Sequence, residues 1–467
     1  MLTYDVDVWS IRKRADRAKP YQLRWRVGPN TFGKSFKLST QADGRRTELL
    51  KALRDRQPFD TESGLPEAEL KELQAPTWYA HARAYVAMKW PTVSAKHRAS
   101  IADALATLTP ALVTDTRGAP KPRVLRTALY SWAFRLCLDP EEKWRPRTEL
   151  ETPAEHIAAA LHWIERKSLK ITDLNTPSVV RSALHALSLK TDGKAAAANT
   201  VNRKVPVFSN ALRYAVEREL LTTVPLDKVD WKAPETDDEI DFRYVPGASF
   251  SKRLIAATAE QGDRGGHLRA FFGCLYYAAM RPAEVTDLRK SACHLPDEGW
   301  GELVFGASTP RVGSAWTDTG ESFDTRGLKR RARKATRSVP IPPVLVQLLR
   351  EHIETYGVTE DGRLFRASRG GHLLSKEYGE VWKAARLSVL SEADAATPLA
   401  EKPYSLRHAG VSLWLTSGVA PAEVARRAGH SIAVLFRFYA KVIHGSQKRS
   451  NEQIERALMD EDASADD

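Results

Sequence analysis

The sequence predicts a mainly α-helical protein with small β elements, an α+β fold, on the strength of three observations. Between Tyr21 and Val27 apolar and polar residues alternate, which is the period of a half-buried strand. From residue 76 to about residue 232 apolar residues recur at spacings of three and four, as in packed amphipathic helices. The rest of the chain has a mostly helical pattern, but β-like runs occur at Gly301–Phe305 and 338–341.

Residues 1–65 are predicted to form a small three-stranded sheet with one helix. A Gly-Pro-Asn sequence marks a turn directly after the first clear strand, and β-like positions continue beyond it. Residues 48–56 have a helical pattern. Residues 61–66 contain a glycine and a proline and are predicted to be a linker.

Residues 76–232 are predicted to form a helical domain and residues 242–445 a mixed α/β domain, followed by a tail at 446–467. The boundary between the two domains is placed at 232–241, because this segment is polar, acidic and without periodicity. Five helices are predicted in the helical domain, at 78–90, 95–108, 152–167, 176–189 and 199–218.

Length and charge restrict the possible functions. At 467 residues the chain is too long for one core, so two or three domains are expected. Lys and Arg number 71 against 58 Asp and Glu, a net charge of +13 that favours a polyanionic partner. The first 60 residues carry 14 basic and 7 acidic side chains, and 326–337 contains seven basic residues and no acidic one. Either charge run alone is equally compatible with a solvated surface.

Other features argue against a secreted or membrane protein. The three cysteines form no Cys-x-x-Cys pair, which argues against a disulfide framework or a zinc site and fits a reducing cytoplasm. The strongly apolar run at 270–280 is too short to span a bilayer, which needs roughly 20 residues. The first 20 residues are rich in Arg and Lys and lack the apolar core of a signal peptide. We therefore expect a soluble cytoplasmic protein.

The strongest candidate site consists of Arg281, Arg407, His430 and Tyr439, the last two nine positions apart. Two guanidinium groups can hold the non-bridging oxygens of a phosphodiester in planar, forked fashion. A tyrosine can attack the phosphorus, and a neighbouring histidine can hydrogen-bond the charge that develops. These residue types in this order therefore point to phosphoryl transfer at a phosphodiester.

Each of these residues also has an ordinary structural explanation. Arg281 precedes Pro282, which predicts a helix start at the proline with Glu284 capping that end or bracing the arginine. Tyr439 lies on the apolar stripe that begins at Ile432, and a tyrosine in such a position is usually part of a core. Only the combination of the four residues favours the functional interpretation.

Two further helix ends are predicted around the candidate site. Pro403 starts a helix that carries Tyr404 and Arg407 three positions apart, on one side. Gly429 ends a helix that has Pro421 in its first turn.

Residues 242–444 contain, in order, an Arg, a Lys, a second Arg, a Gly-His pair and a Tyr. This order, together with the residue three positions before the second Arg, resembles that of the tyrosine recombinases, the phage-type integrases. The sequences RPAEVTDLR, LKRRARKATRSVPIPP, PYSLRHAGVSLWLTSGV and RAGHSIAVLFRFYA resemble integrases of actinobacterial phages and integrative elements. This resemblance implies an arm-type DNA-binding domain at 1–65, a helical core-binding domain at 76–232 and a catalytic domain at 242–445.

The resemblance also implies roles for single residues. Arg281 and Arg407 would clamp the phosphate, Tyr439 would be the nucleophile, and His430 would be the histidine ahead of it. A lysine from a β-hairpin turn would protonate the leaving 5′-oxygen. The basic run offers two candidates for this lysine, Lys329 and Lys334, of which Lys329 is preferred.

The sequence departs from the family at Tyr404, where a histidine is usual. A phenol can hydrogen-bond a phosphate oxygen but cannot act as a base near neutral pH. More of the proton transfer would then fall on His430 or on water, with His408 as supporting structure. Candidate DNA contacts outside the catalytic residues lie in the first strand and in the basic run, at Arg24, Arg26, Arg330, Arg331 and Arg333.

The function implied is site-specific recombination: double-stranded DNA attachment sites are cut and rejoined through a 3′-phosphotyrosine, so that a mobile element is integrated or excised. The resemblance also implies a homotetramer on DNA, with a directionality factor or a DNA-bending protein as possible partners. One phosphoester replaces another, so neither a metal nor ATP is required. Two alternatives stay open, a type IB topoisomerase that relaxes supercoils and a DNA-binding protein without catalytic activity.

Overall fold

In the computed structural model the chain divides into two compact units, residues 1–236 and 237–467, each with its own apolar core. The structure describes residues 1–236, 240–308, 311–324, 326–327, 336–444, 451–452 and 454–455. The finer boundaries proposed from the sequence, at 65 and 76 and at 445, stay predictions.

The first unit begins with an antiparallel sheet covered by one helix. Its strands are β1 (Leu2–Thr3), β2 (Val6–Val8), β3 (Arg12–Lys13), β4 (Tyr21–Val27), β5 (Asn30–Phe36) and β6 (Phe59–Asp60), and its helix is α1 (Ser39–Arg54). The main sheet has four strands rather than the predicted three, because β2 and β3 pair in succession along one edge of β4 and β5 pairs along the other. Leu23, Trp25 and Val27 of β4 point into the core, as their alternation predicted.

Two predictions for this region were wrong. The helix is longer than 48–56 and starts at Ser39, since its first turns present polar residues that carry little periodicity. The segment 61–66 is not a free linker: Pro66 forms a β-bridge with Phe59, and the indole Nε1 of Trp25 donates a 2.7 Å hydrogen bond to the carbonyl of Gly64. The turn is therefore fastened to the sheet core.

The rest of the first unit is helical, as predicted. Its helices are α2 (Glu67–Gln74), α3 (Trp78–Lys89), α4 (Ala95–Leu108), α5 (Pro122–Ala128), α6 (Arg147–Leu150), α7 (Glu155–Lys167), α8 (Pro177–Leu187) and α9 (Ala198–Glu217). Five of them confirm the predicted helices to within three residues at each end. A short hairpin of β7 (Leu136–Leu138) and β8 (Trp144–Pro146) was not predicted, because its strands are too short to show a period.

The second unit is built around one helix that is buried almost all round. Its helices are α10 (Ala248–Ala259), α11 (Gly262–Tyr277), α12 (Pro282–Val285), α13 (Pro343–Tyr356), α14 (Ser375–Val389), α15 (Glu392–Ala395), α16 (Tyr404–Thr416), α17 (Pro421–Ala428) and α18 (Ile432–His444). The central helix is α11, which packs against α10, α13 and α16. The apolar run at 270–280 is therefore core.

A three-stranded antiparallel sheet lies beside these helices. The strands of the second unit are β9 (Cys293–His294), β10 (Gly301–Phe305), β11 (Ala307–Ser308), β12 (Arg326–Gly327) and β13 (Arg337–Ile341). The sheet order is β9-β10-β13, and β11 pairs separately with β12. The predicted strands at 301–305 and 338–341 are confirmed. No helix among the described residues is both long enough and apolar enough to cross a membrane.

Candidate active site

Arg281 occupies the start of α12, where its backbone is extended (φ −77°, ψ 145°) and Pro282 begins the helix, as predicted. Glu284 both caps the helix and braces the arginine. Its Oε2 accepts a 2.9 Å hydrogen bond from the Arg281 backbone N–H, and its Oε1 accepts one of 2.9 Å from Arg281 Nη1. Arg281 Nη2 donates to the carbonyl of Gly429 at 2.9 Å. Its side chain keeps 32% exposure, so a ligand can still reach it.

A second arginine, Arg337 at the start of β13, also binds Glu284. Its Nη1 and Nη2 donate to the two carboxylate oxygens at 3.1 and 2.8 Å, and the Arg337 and Glu284 side chains are only 3% and 4% exposed. Burial alone would raise the pKa of Glu284, but Arg337 and the two other arginines nearby lower it to about 2. Glu284 is therefore ionised and holds two guanidinium groups side by side.

Arg407 is completely buried on α16, one turn after Pro403. Its guanidinium donates to the backbone carbonyls of Ala279 and Ala428, the latter at 2.7 Å. These two bonds connect α16 to the end of α11 and to the end of α17. The guanidinium is thus fixed in place before any substrate binds, which is what preorganised electrostatic stabilisation requires.

The glycine before His430 permits the close approach of the arginines. Gly429 has left-handed backbone angles (φ 65°, ψ 40°) and ends α17, as predicted. A Cβ at this position would lie 2.1 Å from Arg337 Nη1 and 3.3 Å from Arg281 Nη1. A side chain here would therefore displace both guanidinium groups.

His430 contacts the buried arginine directly. Its Nε2 is 2.8 Å from Arg407 Nη2. Because a guanidinium only donates, His430 Nε2 must accept and the ring proton must be on Nδ1. Burial, followed by Arg407 and Arg281, lowers the pKa of His430 to about 3, so the ring is neutral at pH 7. Its Nδ1–H is buried and has no hydrogen-bond partner among the residues that the structure describes, so it is available as a donor.

Tyr439 lies in α18 and is only 1% exposed. Its hydroxyl is not in apolar packing, because it is 2.8 Å from Nδ1 of His408 on α16. The His430 and Tyr439 ring centroids are 6.3 Å apart. Burial raises the pKa of Tyr439, an effect that the nearby Arg407 and Arg281 oppose. The helix backbone departs from helical angles at this residue (φ −121°, ψ 16°).

The structure brings together four of the predicted catalytic residues, Arg281, Arg407, His430 and Tyr439. Tyr404 lies at the edge of this cluster, 37% exposed, with its ring centroid 5.0 Å from that of His408. The other predicted residues of this unit lie outside the described residues, namely Lys329, Lys334, Arg330, Arg331 and Arg333.

The two predicted DNA contacts of the first unit differ in their surroundings. Arg24 is exposed on β4, with its guanidinium carbon 5.1 Å from the centroid of Trp9. Arg26 is held by two carboxylates, with Nη2 2.8 Å from Asp5 and 2.5 Å from Asp7. Arg24 is therefore the more available of the two for a phosphate.

Sequence reasoning missed the roles of Arg337 and His408. In the sequence Arg337 is only the last member of the basic run, although its position at the start of an apolar strand indicates a partly buried side chain. His408 is predicted to be supporting structure, although it follows Arg407 directly and can share a helix side with Tyr404. Both roles depend on partners far away in sequence, Glu284 and Tyr439.

Comparison with known proteins gives structural similarities only. No family model and no curated protein sequence matches the chain. The Tn1549 transposon integrase in complex with circular intermediate DNA is 14% identical, with 66% of this chain and 96% of that chain covered and a TM-score of 0.46. XerH site-specific recombinase bound to difH substrate is 12% identical (77% and 95% covered, TM-score 0.41). A lambda integrase dimer bound to a COC′ core site is 13% identical (90% and 91% covered, TM-score 0.43).

Proposed function

We propose that this protein is a site-specific DNA recombinase of the integrase type, which cuts and rejoins double-stranded DNA through a 3′-phosphotyrosine at Tyr439. One observation carries the proposal: side chains from four separate helix ends or faces meet in a single basic cluster. Arg407 bonds His430 at 2.8 Å, Arg281 bonds the carbonyl next to His430 at 2.9 Å, and Tyr439 is buried beside them.

The charge of this cluster suits the proposed reaction. Among the described residues, Arg281, Arg337 and Arg407 surround one carboxylate, Glu284, so these four side chains carry a net charge of +2. A DNA phosphodiester carries one negative charge, and attack by a phenolate gives a pentacoordinate phosphorus species with two. Because the cluster is buried and prearranged, it favours the more highly charged transition state over the ground state.

In the proposed step the Tyr439 oxygen forms a bond to phosphorus while the bond to the 5′-oxygen breaks. The phenolic proton leaves Tyr439, and the 5′-oxygen takes a proton from a separate donor, for which Lys329 is our preferred candidate and Lys334 the alternative. Arg281 and the Nδ1–H of His430 supply donors to the non-bridging oxygens. Replacement of Arg281 or Arg407 is expected to lower the cleavage rate by about 10²-fold or more.

The proposal is tested with a nicked suicide substrate made from the attachment site, which is found by sequencing the DNA that flanks the gene. The wild-type protein should form an adduct that survives denaturant, and peptide mapping should place the DNA on Tyr439. Tyr439→Phe should form none. Tyr4→Phe is a matched control, because this tyrosine is 70% exposed and far from the site in sequence.

A wild-type protein that binds its attachment site but forms no adduct would contradict the proposal and favour a non-catalytic DNA-binding protein. Relaxation of supercoiled plasmids that lack any attachment site would instead favour a type IB topoisomerase. Both readouts use the same purified protein.

We further propose that the protein acts as a homotetramer on paired sites, with residues 1–65 holding outlying arm sites. Sedimentation of the protein with attachment-site DNA should give a four-protomer complex. Recombination assays with and without a DNA-bending protein or a directionality factor test whether these partners are required.

A further inference from the structure

The proposed reaction needs a group that removes the proton from Tyr439, and the structure contains one direct candidate among the described residues. His408 Nδ1 lies 2.8 Å from the Tyr439 hydroxyl oxygen, which is hydrogen-bonding distance to the reacting atom itself. The two ring centroids are 6.0 Å apart. From the sequence alone this proton transfer is expected to fall on His430 or on water.

His430 is poorly suited to accept the proton. Its Nε2 lone pair is already occupied by the Arg407 guanidinium at 2.8 Å. The tautomer that this bond requires carries its proton on Nδ1, so the second nitrogen can only donate. His430 is therefore a donor toward phosphate oxygens and not a base.

We propose that His408 is the catalytic base that accepts the phenolic proton of Tyr439 during strand cleavage and returns it during rejoining. This inference rests on the proposed recombinase function. It gives His408, on the same helix as Arg407, the proton transfer in which a histidine at position 404 would otherwise share.

Protons and bonds balance in both directions of the step. As the Tyr439 oxygen forms its bond to phosphorus, the O–H bond breaks and the proton moves to His408 Nδ1, while the bond to the 5′-oxygen breaks and that oxygen is protonated by its separate donor. In the reverse step the 5′-hydroxyl attacks the phosphorus and gives its proton back to the separate donor, the bond between phosphorus and the Tyr439 oxygen breaks, and the imidazolium of His408 returns its proton to that oxygen. No oxidant, metal or cofactor enters.

The surroundings of His408 suit a base of this kind. Burial and then the adjacent Arg407 lower the pKa of His408 to about 4, so the ring is neutral and able to accept at pH 7. The charged and titratable groups that face it are Arg407 and Tyr404 on its own helix, Tyr439 on α18 and His430 after α17. A bound phosphate would offset the charge of Arg407 and make the imidazolium easier to form, so proton transfer is coupled to substrate binding.

The test compares two substitutions in single-turnover cleavage of the suicide substrate. His408→Asn keeps an acceptor oxygen near the position of Nδ1 but cannot take a proton, and His408→Ala leaves room for added imidazole. We expect both to fold and bind DNA as the wild type does and to cleave about 10²-fold more slowly. The His408→Ala rate should rise with imidazole concentration. His294→Asn, at an exposed histidine of the same unit, should cleave at the wild-type rate.

The pH profile separates a base from a residue that only positions Tyr439. The wild-type rate should change little between pH 6 and 8, whereas the His408→Asn rate should rise about tenfold per pH unit, because hydroxide must then remove the proton. If the wild type cleaves, and His408→Asn cleaves at the same rate with a flat pH profile, the role of His408 is overturned while the recombinase function stands. A wild type that forms no adduct would overturn the recombinase function, and this role with it.

Nitrogen NMR of the protein without DNA gives a second, independent measurement. We expect His408 Nδ1 to be unprotonated at pH 7 and its resonance to shift in Tyr439→Phe. A protonated Nδ1 would overturn the inference, because that nitrogen could not then accept the phenolic proton.

Discussion

Gly429 lies where the guanidinium groups of Arg281 and Arg337 converge. Its left-handed backbone and the 2.1 Å distance from a hypothetical Cβ to Arg337 Nη1 are separate constraints, and both favour glycine. The residue therefore sets the spacing of the two arginines.

Gly429→Ala is expected to lower the cleavage rate by about 10²-fold or more, because it displaces an arginine of the cluster. Suicide-substrate cleavage measures this. Gly357→Ala is the control, since Gly357 has the same φ of 65° but open space around its Cβ. It should lose about 1–3 kcal/mol of folding free energy and still cleave normally. Equal loss of cleavage in both variants would argue against a specific effect on the arginines.

Glu284 links the charge of the site to the stability of the unit. Its pKa in the folded protein is about 2, below the usual 4.5, so its ionised form stabilises the fold above pH 4.5 and this contribution is lost as the pH falls toward 2. The shift corresponds to about 3 kcal/mol.

We therefore expect the difference in unfolding free energy between the wild type and Glu284→Gln to shrink by about 3 kcal/mol between pH 5 and pH 2. Urea unfolding at a series of pH values measures it. If the unfolding free energies of the wild type and Glu284→Gln change in parallel over this pH range, then Glu284 is not ionised in the folded protein at pH 5 or its pKa is not lowered.

At the scale of elements, the contact of α16 with α11 positions the site. A Cβ at Gly410 would lie 2.0 Å from the backbone carbonyl oxygen of Tyr276. The helix that carries Arg407 and His408 can therefore approach the central helix only because glycine stands at this position. The buried bond of Arg407 to Ala279, just beyond α11, depends on the same approach.

Gly410→Ala is expected to push α16 away from α11, to destabilise the protein by about 1–3 kcal/mol and to reduce cleavage. Gly379→Ala is the matched control, because Gly379 lies inside α14 with nothing within 4 Å of its Cβ position. Alanine is favoured over glycine in a helix interior, so this variant should gain about 0.5–1 kcal/mol. Urea unfolding followed by circular dichroism distinguishes the two. A neutral Gly410→Ala would contradict the packing argument.

At the scale of the whole molecule, positive charge is concentrated toward the N-terminus. Of the net charge of +13, the first 60 residues contribute +7 from 14 basic and 7 acidic side chains. Part of this charge is compensated locally, because Arg26 is paired with Asp5 and Asp7, whereas Arg24 is exposed beside Trp9.

Arg24→Ala is expected to weaken binding of arm-site DNA and to reduce the slope of log affinity against log salt by about 1, as for loss of one phosphate contact. Arg26→Ala should change the slope less, because that guanidinium is already neutralised. Fluorescence anisotropy over a salt series measures both. A larger change in slope for Arg26→Ala would show that DNA displaces the two carboxylates.

Much of the local structure follows from the sequence by itself. Apolar spacing located the five main helices of the first unit and the strands at 301–305 and 338–341. Pro282, Pro421 and Gly429 marked helix ends because their backbone preferences are intrinsic to the residue. The order and spacing of Arg281, Arg407, His430 and Tyr439 predicted that these four side chains meet in one site, as they do in the structure.

Only the tertiary structure decided which of these side chains meet. The pairing of Arg337 with Glu284, the complete burial of Arg407 and the contact of His408 with Tyr439 join residues up to 128 positions apart. Sequence periodicity specifies which face of a helix is buried, but the packing of helices determines what lies opposite that face. Donor and acceptor roles, such as the tautomer of His430, follow only once the partner atoms are in place.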